Sequence, residues 1–243
     1  MSKLYVVGIG PGDYENMTVR ADRVLRKCDV IVGYHVYVDL VKGQYPDKEY
    51  YTTPMTREVQ RCQMALELAR EGKTVAMICS GDSGIYGMAA LIYELRGEAP
   101  VPEIEVVPGL TAACSGAALL GAPLTHDFAV VSLSDRLTPW DKIEQRLRSC
   151  AQSDLTLVLY NPVSRGRPDH LRRTCEILLE YLPEDRPCGI CRNIGREEES
   201  VRILTLGELK DAQADMFCTI FVGNAMTTVI GENLITPRGY RDV

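Results

Sequence analysis

Residues 6–18 read VVGIGPGDYENMT, an apolar run broken by three glycines and followed by a segment with helical spacing. A strand that ends in a glycine turn and hands over to a helix is the start of a βα unit, so this stretch places the chain in the α/β class. It also has the outline of a phosphate loop, and its details argue against one. In the dinucleotide fingerprint G-x-G-x-x-G the glycines open a helix, and an acidic residue closes the next strand roughly 20 positions on. Here the glycines stand at 8, 10 and 12, so the third arrives one place early. Pro11 removes a backbone N–H from the turn, and Asp13 puts negative charge where a pyrophosphate would lie. The next apolar run, CDVIVGY (28–34), ends in Gly33 and Tyr34 rather than in an acid. No Lys-Ser or Lys-Thr follows the glycines, which excludes a Walker-type loop. The turn is a tight connection at a strand tip and a poor anion cradle.

Outward from this turn, strand-like runs alternate with helical periodicity for most of the length, the pattern of an α/β protein with a mainly parallel sheet. KLYVVGIG (3–10) is the first strand. TVRADRVLRKC (18–28) is a helix with Thr18 as N-cap and Ala21, Val24, Leu25 and Cys28 on one face. After the strand DVIVG (29–33), the segment TREVQRCQMALELAREG (56–72) places Val59, Cys62, Leu66 and Ala69 at helical spacing and stops at Gly72. TVAMICS (74–80), the turn GDSG and the helix IYGMAALIYELRG (85–97) follow, then the strand EIEVV (103–107) and the small-residue helix within PGLTAACSGAALLGAP (108–123). The pattern then restarts with the strands FAVVSLS (128–134), LTLVLYN (155–161), PCGICRN (187–193), VRILTL (201–206) and FCTIFVG (217–223), and the helices WDKIEQRLRSC (140–150) and HLRRTCEILLEYL (170–182). These are too many strands for one doubly wound sheet. Two α/β domains are expected, residues 1–118 and 119–243, tightly joined because no Ser- or Gly-rich linker separates them.

Composition narrows the function. The chain has 243 residues, 46% of them hydrophobic, enough for a sizeable core. No apolar run approaches the ~20 residues of a membrane span and no signal peptide is present, so a cytoplasmic protein is expected. The net charge of −6, with no lysine-rich tract, argues against nucleic acid as a partner. Nine cysteines, an odd number lying mostly in apolar runs, read as reduced core thiols. Cys188 and Cys191 have C-x-x-C spacing, but no second pair supplies the four ligands of a structural zinc or iron–sulfur site, so no metal is expected.

In parallel α/β sheets ligands bind beyond the carboxyl ends of the strands. Those tips are GIGPGD, SGDSGIYG, VPGLTAA, SLSD, YNPVSRGR and CRNIGRE. They contain no G-x-S-x-G elbow, and His35, His126 and His170 stand in no recognisable nucleophile arrangement, which disfavours hydrolase and metalloenzyme readings. Backbone-rich tips of this kind suit a polar, largely uncharged ligand such as a nucleoside. Asp82 is placed to accept from ribose or amine donors, with backbone groups of 81–85 and 111–112 around an adenine or amino-acid edge. An Asx turn capping a helix that starts near Ile85 is the competing reading of Asp82.

VVGIGPGDYENMT, VGYHVYVDL (32–40), SGDSGIYGMAALIYEL (80–95), the long stretch VVPGLTAACSGAALLGAPLTHDFAVVSLSDRLTPW (106–140), YNPVSRGR (160–167) and the ending FVGNAMTT…ITPRGY together resemble the tetrapyrrole methylases, in order and over essentially the whole chain. Within that family the pattern is most similar to the branch that methylates C-17 of a cobalamin precursor with contraction of the ring, the precorrin-3B or cobalt-factor III substrate. The resemblance implies S-adenosylmethionine as methyl donor, held folded in a cleft between two α/β domains, a tetrapyrrole substrate, and a homodimer. Motif by motif it carries cofactor contacts over to Pro11, Gly81, Asp82, Ile85, Thr111, Ala112, Tyr160, Gly189, Cys218 and Thr219. Two positions depart from the family pattern. Met17 precedes Thr18 where Leu is frequent, and Ser83 follows Asp82 where Pro is frequent, so the turn is less stiff while Asp82 keeps its place.

A macrocycle bearing acetate and propionate carboxylates calls for arginines able to make bidentate contacts. Arg57, Arg136, Arg165, Arg167, Arg192, Arg196 and Arg238 lie in or beside the expected loops. Methyl transfer needs mainly alignment in a dry pocket. Ring contraction needs proton movement and lactone closure, where acid or base help is useful. Asp135 and Tyr34, both just past strand tips, are the candidate catalytic groups. Methylation of another corrinoid position or of a siroheme precursor, and a carrier that binds S-adenosylmethionine or a tetrapyrrole without turnover, remain alternatives.

Overall fold

The structure, a computed structural model, describes residues 3–240. It divides into two compact units, Met1–Thr111 and Ala112–Val243. The division falls earlier than the expected boundary after residue 118. The reason is the small-residue helix α5 (Ala112–Leu120), whose buried Ala113, Gly116, Ala117 and Leu120 face Phe221, Cys191 and Val158 of the second unit. The Gly and Pro at 121–123 therefore end a helix and do not separate domains.

In the first unit the order is β1 (Lys3–Gly8), α1 (Val19–Lys27), β2 (Val30–Tyr34), α2 (His35–Val41), β3 (Glu49–Thr53), α3 (Glu58–Arg70), β4 (Thr74–Cys79), α4 (Ala89–Arg96) and β5 (Glu103–Val107). The strands form one parallel sheet in the order β3-β2-β4-β1-β5. Strand alternation sends Leu4, Val6, Val32, Val75 and Met77 to one face, where Cys62, Leu66 and Ile92 of α3 and α4 cover them. Val7, Ile9, Ile31, Ala76 and Ile78 go to the other, under Leu25 and Val24 of α1 and Val38 and Val41 of α2. Thr18 caps α1 as expected, its side chain accepting from the Ala21 N–H. Val59, expected on the buried face of α3, is 50% exposed, whereas Cys62, Leu66 and Ala69 are buried.

In the second unit α5 is followed by β6 (Gly121–Ala122), β7 (Phe128–Ser132), α6 (Trp140–Gln152), β8 (Thr156–Tyr160), α7 (His170–Leu179), β9 (Pro187–Arg192), β10 (Ser200–Thr205), α8 (Leu206–Leu209), β11 (Cys218–Val222), β12 (Thr228–Ile230) and β13 (Asn233–Ile235). The main sheet has the order β10-β9-β11-β8-β7, and β12-β13-β6 form a small sheet. This main sheet is mixed, not parallel: β11 runs antiparallel to both β8 and β9, and β10 antiparallel to β9. The short 193–199 connection reverses the chain between β9 and β10 without a crossover helix. β7 and β8 are parallel, and β9, being antiparallel to the same neighbour as β8, shares their direction, so the tips at Ser132, Tyr160 and Arg192 lie on one edge.

Candidate active site

In the first unit the tips of β1 and β4 are joined backbone to backbone. Gly10 and Gly81 exchange two hydrogen bonds, Gly10 N–H to Gly81 O at 3.1 Å and Gly81 N–H to Gly10 O at 2.7 Å. The approach requires glycine: a Cβ at Gly8 would lie 2.6 Å from Gly109 N and 2.7 Å from Gly81 O, with only backbone to yield. Asp82 locks the same junction. Its Oδ1 accepts from the N–H of Gly84 (2.8 Å) and Ile85 (3.0 Å), and its Oδ2 from the N–H of Gly109 (2.9 Å). The carboxylate thus forms an Asx turn and also ties the loop after β4 to the loop after β5. Ser83, fully buried, adds a hydrogen bond to Val107 O at 3.1 Å. The expected helix at Ile85 begins only at Ala89, because residues 81–88 are held as this loop, where a Cβ at Gly87 would collide with Ser83 O.

Pro11, Gly81, Asp82, Ile85 and Thr111 all lie on this one set of tips. Pro11 is buried, and the Asp13 carboxylate is engaged by Asn16, accepting from its backbone N–H (3.0 Å) and its side-chain amide (2.6 Å). This carboxylate closes a turn. Ile85, Tyr86 and Leu110 are exposed large hydrophobic residues on these tips, 41%, 51% and 41% accessible. Apolar side chains beside this hydrogen-bonded backbone suit the adenine ring and methylene chain of S-adenosylmethionine and offer no anion nest.

Two strands along the same edge, Tyr34 ends β2. Its ring makes edge contacts with His35 (4.4 Å) and Tyr37 (5.2 Å), and the Arg61 guanidinium lies 5.7 Å from its centroid. Arg61 escaped the sequence reading, where it is one more charge on a helix. It is 5% exposed.

In the second unit the residues carried over by resemblance do not all share a face. Strand alternation puts Val158, Tyr160, Cys191 and Phe221 on the α5 side and Leu157, Leu159, Cys188, Ile190, Cys218 and Ile220 on the α6–α7 side. Thr219 and Gly189 fall on the α5 side by the same parity, and Cys218 falls on the other, so Cys218 does not join them. Tyr160 accepts the Ala113 N–H at 2.8 Å and so caps α5 one residue past Ala112. Gly189 serves packing: a Cβ there would sit 2.6 Å from both methyls of Leu120. The C-x-x-C cysteines obey the same alternation. Cys188 and Cys191 point to opposite faces and cannot hold one ion together, and burial raises the Cys191 thiol to about 12.

Asp135 lies beyond β7, beside the first residue of α7. Its Oδ2 is 3.1 Å from His170 Nε2, off the line of a true hydrogen bond, and its Oδ1 is 3.9 Å from Arg167 Nε. Partial burial pushes this carboxyl up, but the His170 contact and the Arg167 charge outweigh burial and hold it below the usual carboxylate range. Trp140 packs edge-on against the buried His170 ring (4.7 Å), with the Arg173 guanidinium 4.0 Å over its indole. Asn161, at φ 55°, donates to Ser132 Oγ (2.9 Å) on the same edge. Of the other arginines, Arg192 is paired with Asp215 (2.9 Å), Arg196 stacks on Phe217 (5.6 Å), and Arg57, Arg136, Arg165 and Arg238 are exposed.

The chain is thus a five-stranded parallel α/β unit whose β1 and β4 tips are bonded glycine to glycine, followed by a mixed α/β unit. The chain belongs to the tetrapyrrole (corrin/porphyrin) methylases, whose sequence pattern matches residues 3–210. It is 44% identical over 98% of its length, and 99% of the partner's, to a probable cobalt-factor III C(17)-methyltransferase of Salmonella typhimurium. It is 42% identical to a cobalt-factor III methyltransferase of Priestia megaterium, covering 98% of this chain and 45% of that protein. The crystal structure of the methyltransferase CobJ superimposes with a TM-score of 0.90 at 35% identity, covering 98% of this chain and 100% of that one.

Proposed function

We propose that this protein transfers a methyl group from S-adenosylmethionine to C-17 of a cobalt-factor III or precorrin-3B type corrinoid precursor, with ring contraction, in cobalamin biosynthesis. The observation that carries the reading is the end-to-end likeness to the Salmonella typhimurium protein, which spans both units and every strand tip discussed above. When bound, S-adenosylmethionine supplies an electrophilic methyl. The residues of this chain have to bind and align it and keep water away, which suits tips made of backbone and apolar side chains.

The donor contacts of this reading form two sets. Pro11, Gly81, Asp82, Ile85 and Thr111 belong to the first unit, and Ala112, Tyr160, Gly189 and Thr219 to the second. Asp82 acts by ordering the 82–85 and 109 backbone. Tyr160 acts through the start of α5, and Gly189 by letting α5 close on β9. For proton movement during ring contraction, Asp135 is the stronger candidate because the neighbouring His170 and Arg167 favour its ionised form; Tyr34 is the second candidate. A homodimer in the cytoplasm completes the reading, on the strength of the family resemblance.

Incubation with S-adenosylmethionine and either cobalt-factor III or uroporphyrinogen III, followed by S-adenosylhomocysteine release, tests the reading. Turnover with the corrinoid alone is expected. Turnover with uroporphyrinogen alone would move the activity to another tetrapyrrole, and binding without any release would make the protein a carrier.

A further inference from the structure

Arg61 is a charge buried at the edge where ligands bind in parallel sheets, and no acid among the described residues pairs with it. It projects from α3 under the tips of β2 and β3, where its Nε donates to Thr53 Oγ1 at 2.9 Å and its Nη2 to Pro54 O at 3.1 Å. Its guanidinium carbon is 5.7 Å from the centroid of the Tyr34 ring. Both acceptors are neutral, so the two hydrogen bonds fix the orientation of the guanidinium without neutralising it. Burying an unpaired cation is costly. Leu or Met would fill the same space without that cost, so the retained charge calls for an anion.

The surroundings say where the anion enters. Tyr34 is half-buried, and Met55 and Arg57, next along the chain from Pro54, are exposed, so the guanidinium lies just under the surface. Strand order puts β4 between β2 and β1, and neighbouring strands are about 4.8 Å apart. The Tyr34–Arg61 pair is therefore about 10 Å along the edge from the β1 tip. This is a suitable separation for a macrocycle whose reacting carbon faces the donor while a peripheral acid chain reaches outward.

We propose that Arg61 anchors a peripheral carboxylate of the substrate through Nη1 and Nη2, with the Tyr34 ring packed beside it. The inference rests on the proposed corrinoid substrate and adds to it a specific substrate-binding residue. Arg61→Lys keeps charge but loses the fork, and Arg61→Met loses both. Loss of a charge-assisted pair of hydrogen bonds weakens binding roughly 10- to 100-fold. The expected result is a Kd for cobalt-factor III, followed by its absorbance, raised by about that factor in Arg61→Met and less in Arg61→Lys. The Kd for S-adenosylmethionine by calorimetry should stay within about twofold.

Because Arg61 also tethers Thr53 and Pro54, a second measurement separates anchoring from a structural role. Methyl esterification of the corrinoid carboxylates should weaken binding to the wild type more than to Arg61→Lys, by the factor the substitution itself costs. Folded variants that bind cobalt-factor III as tightly as the wild type overturn the inference. So does equal loss of both ligands together with a lowered Tm, or an esterification penalty the same in wild type and variant. A wild type that fails to bind cobalt-factor III overturns the proposed function and the anchor with it, which distinguishes the two failures.

Discussion

Asp82→Asn tests how the donor loops are held. In the wild type one carboxylate oxygen serves Gly84 and Ile85 and the other serves Gly109. An asparagine can keep its Oδ1 on Gly84 and Ile85, but its amide nitrogen then meets the Gly109 N–H, donor against donor. One hydrogen bond to a charged acceptor is lost at a partly buried position, about 1.5–3 kcal/mol. Asp82→Ala loses all three contacts, but water can reach the exposed Gly84 and Ile85 N–H groups, so the total rises only to about 3–4 kcal/mol. Neither exceeds the about 5–15 kcal/mol typical of a folded domain, so both variants fold. If binding must re-form the loop at a cost of about 2 kcal/mol, the Kd for S-adenosylmethionine rises about 30-fold in the Asn variant. Urea unfolding and calorimetric titration on the same samples measure the two quantities. Stability and affinity should fall together. Unchanged stability with lost affinity would mean that Asp82 touches the ligand directly, and unchanged affinity with lost stability would remove this loop from the donor site.

Further predictions concern packing and ionisation. Gly189→Ala should destabilise the second unit by about 1–3 kcal/mol through overpacking against Leu120, and Leu120→Ala in the same chain should cost less than the sum of the two, as denaturant midpoints would show. Of nine cysteines, the exposed Cys114 should react first with a thiol reagent and the half-buried Cys150 more slowly, the other seven only on denaturation. Burial raises Cys28, Cys79 and Cys218 to about 11 and Cys62, Cys175 and Cys191 to about 12, against an ordinary value of 9.0. The unfolded chain therefore releases these protons first, and stability should fall as pH rises from about 9 toward 12, with a shallower decline in a Cys62→Ala, Cys175→Ala variant. Asp135 carries the opposite sign: its contribution is present above its ordinary pKa of 3.8 and is lost as pH falls through the lowered native value. His170→Phe should move the Asp135 carboxyl resonance toward higher pH in an NMR titration.

The sequence made the βα alternation, the Thr18 cap and the run of strand tips legible, because each rests on local spacing. The strand Glu49–Thr53 escaped notice because its five residues, EYYTT, are polar enough for a loop and become a strand only by pairing with β2. Residues 85–88 looked helical because their composition continues into α4, and only the Asp82 and Ser83 bonds across to β5 and the loop after it fix where the helix begins. Cys218 shows the limit of transfer by motif. In a strand a slip of one residue sends the side chain to the other face. The burial of Arg61 comes from β2 and β3 closing over it, a non-local fact that helical periodicity does not encode.

The activity proposed for this protein is methylation at a single carbon of a corrinoid precursor. The direct test is to incubate the purified protein with cobalt-factor III and S-adenosylmethionine carrying a 13C methyl, then locate the label by NMR and weigh the product by mass spectrometry. One labelled methyl on C-17 of a ring-contracted product is the predicted result. A label on any other carbon, or an unchanged macrocycle, would contradict it.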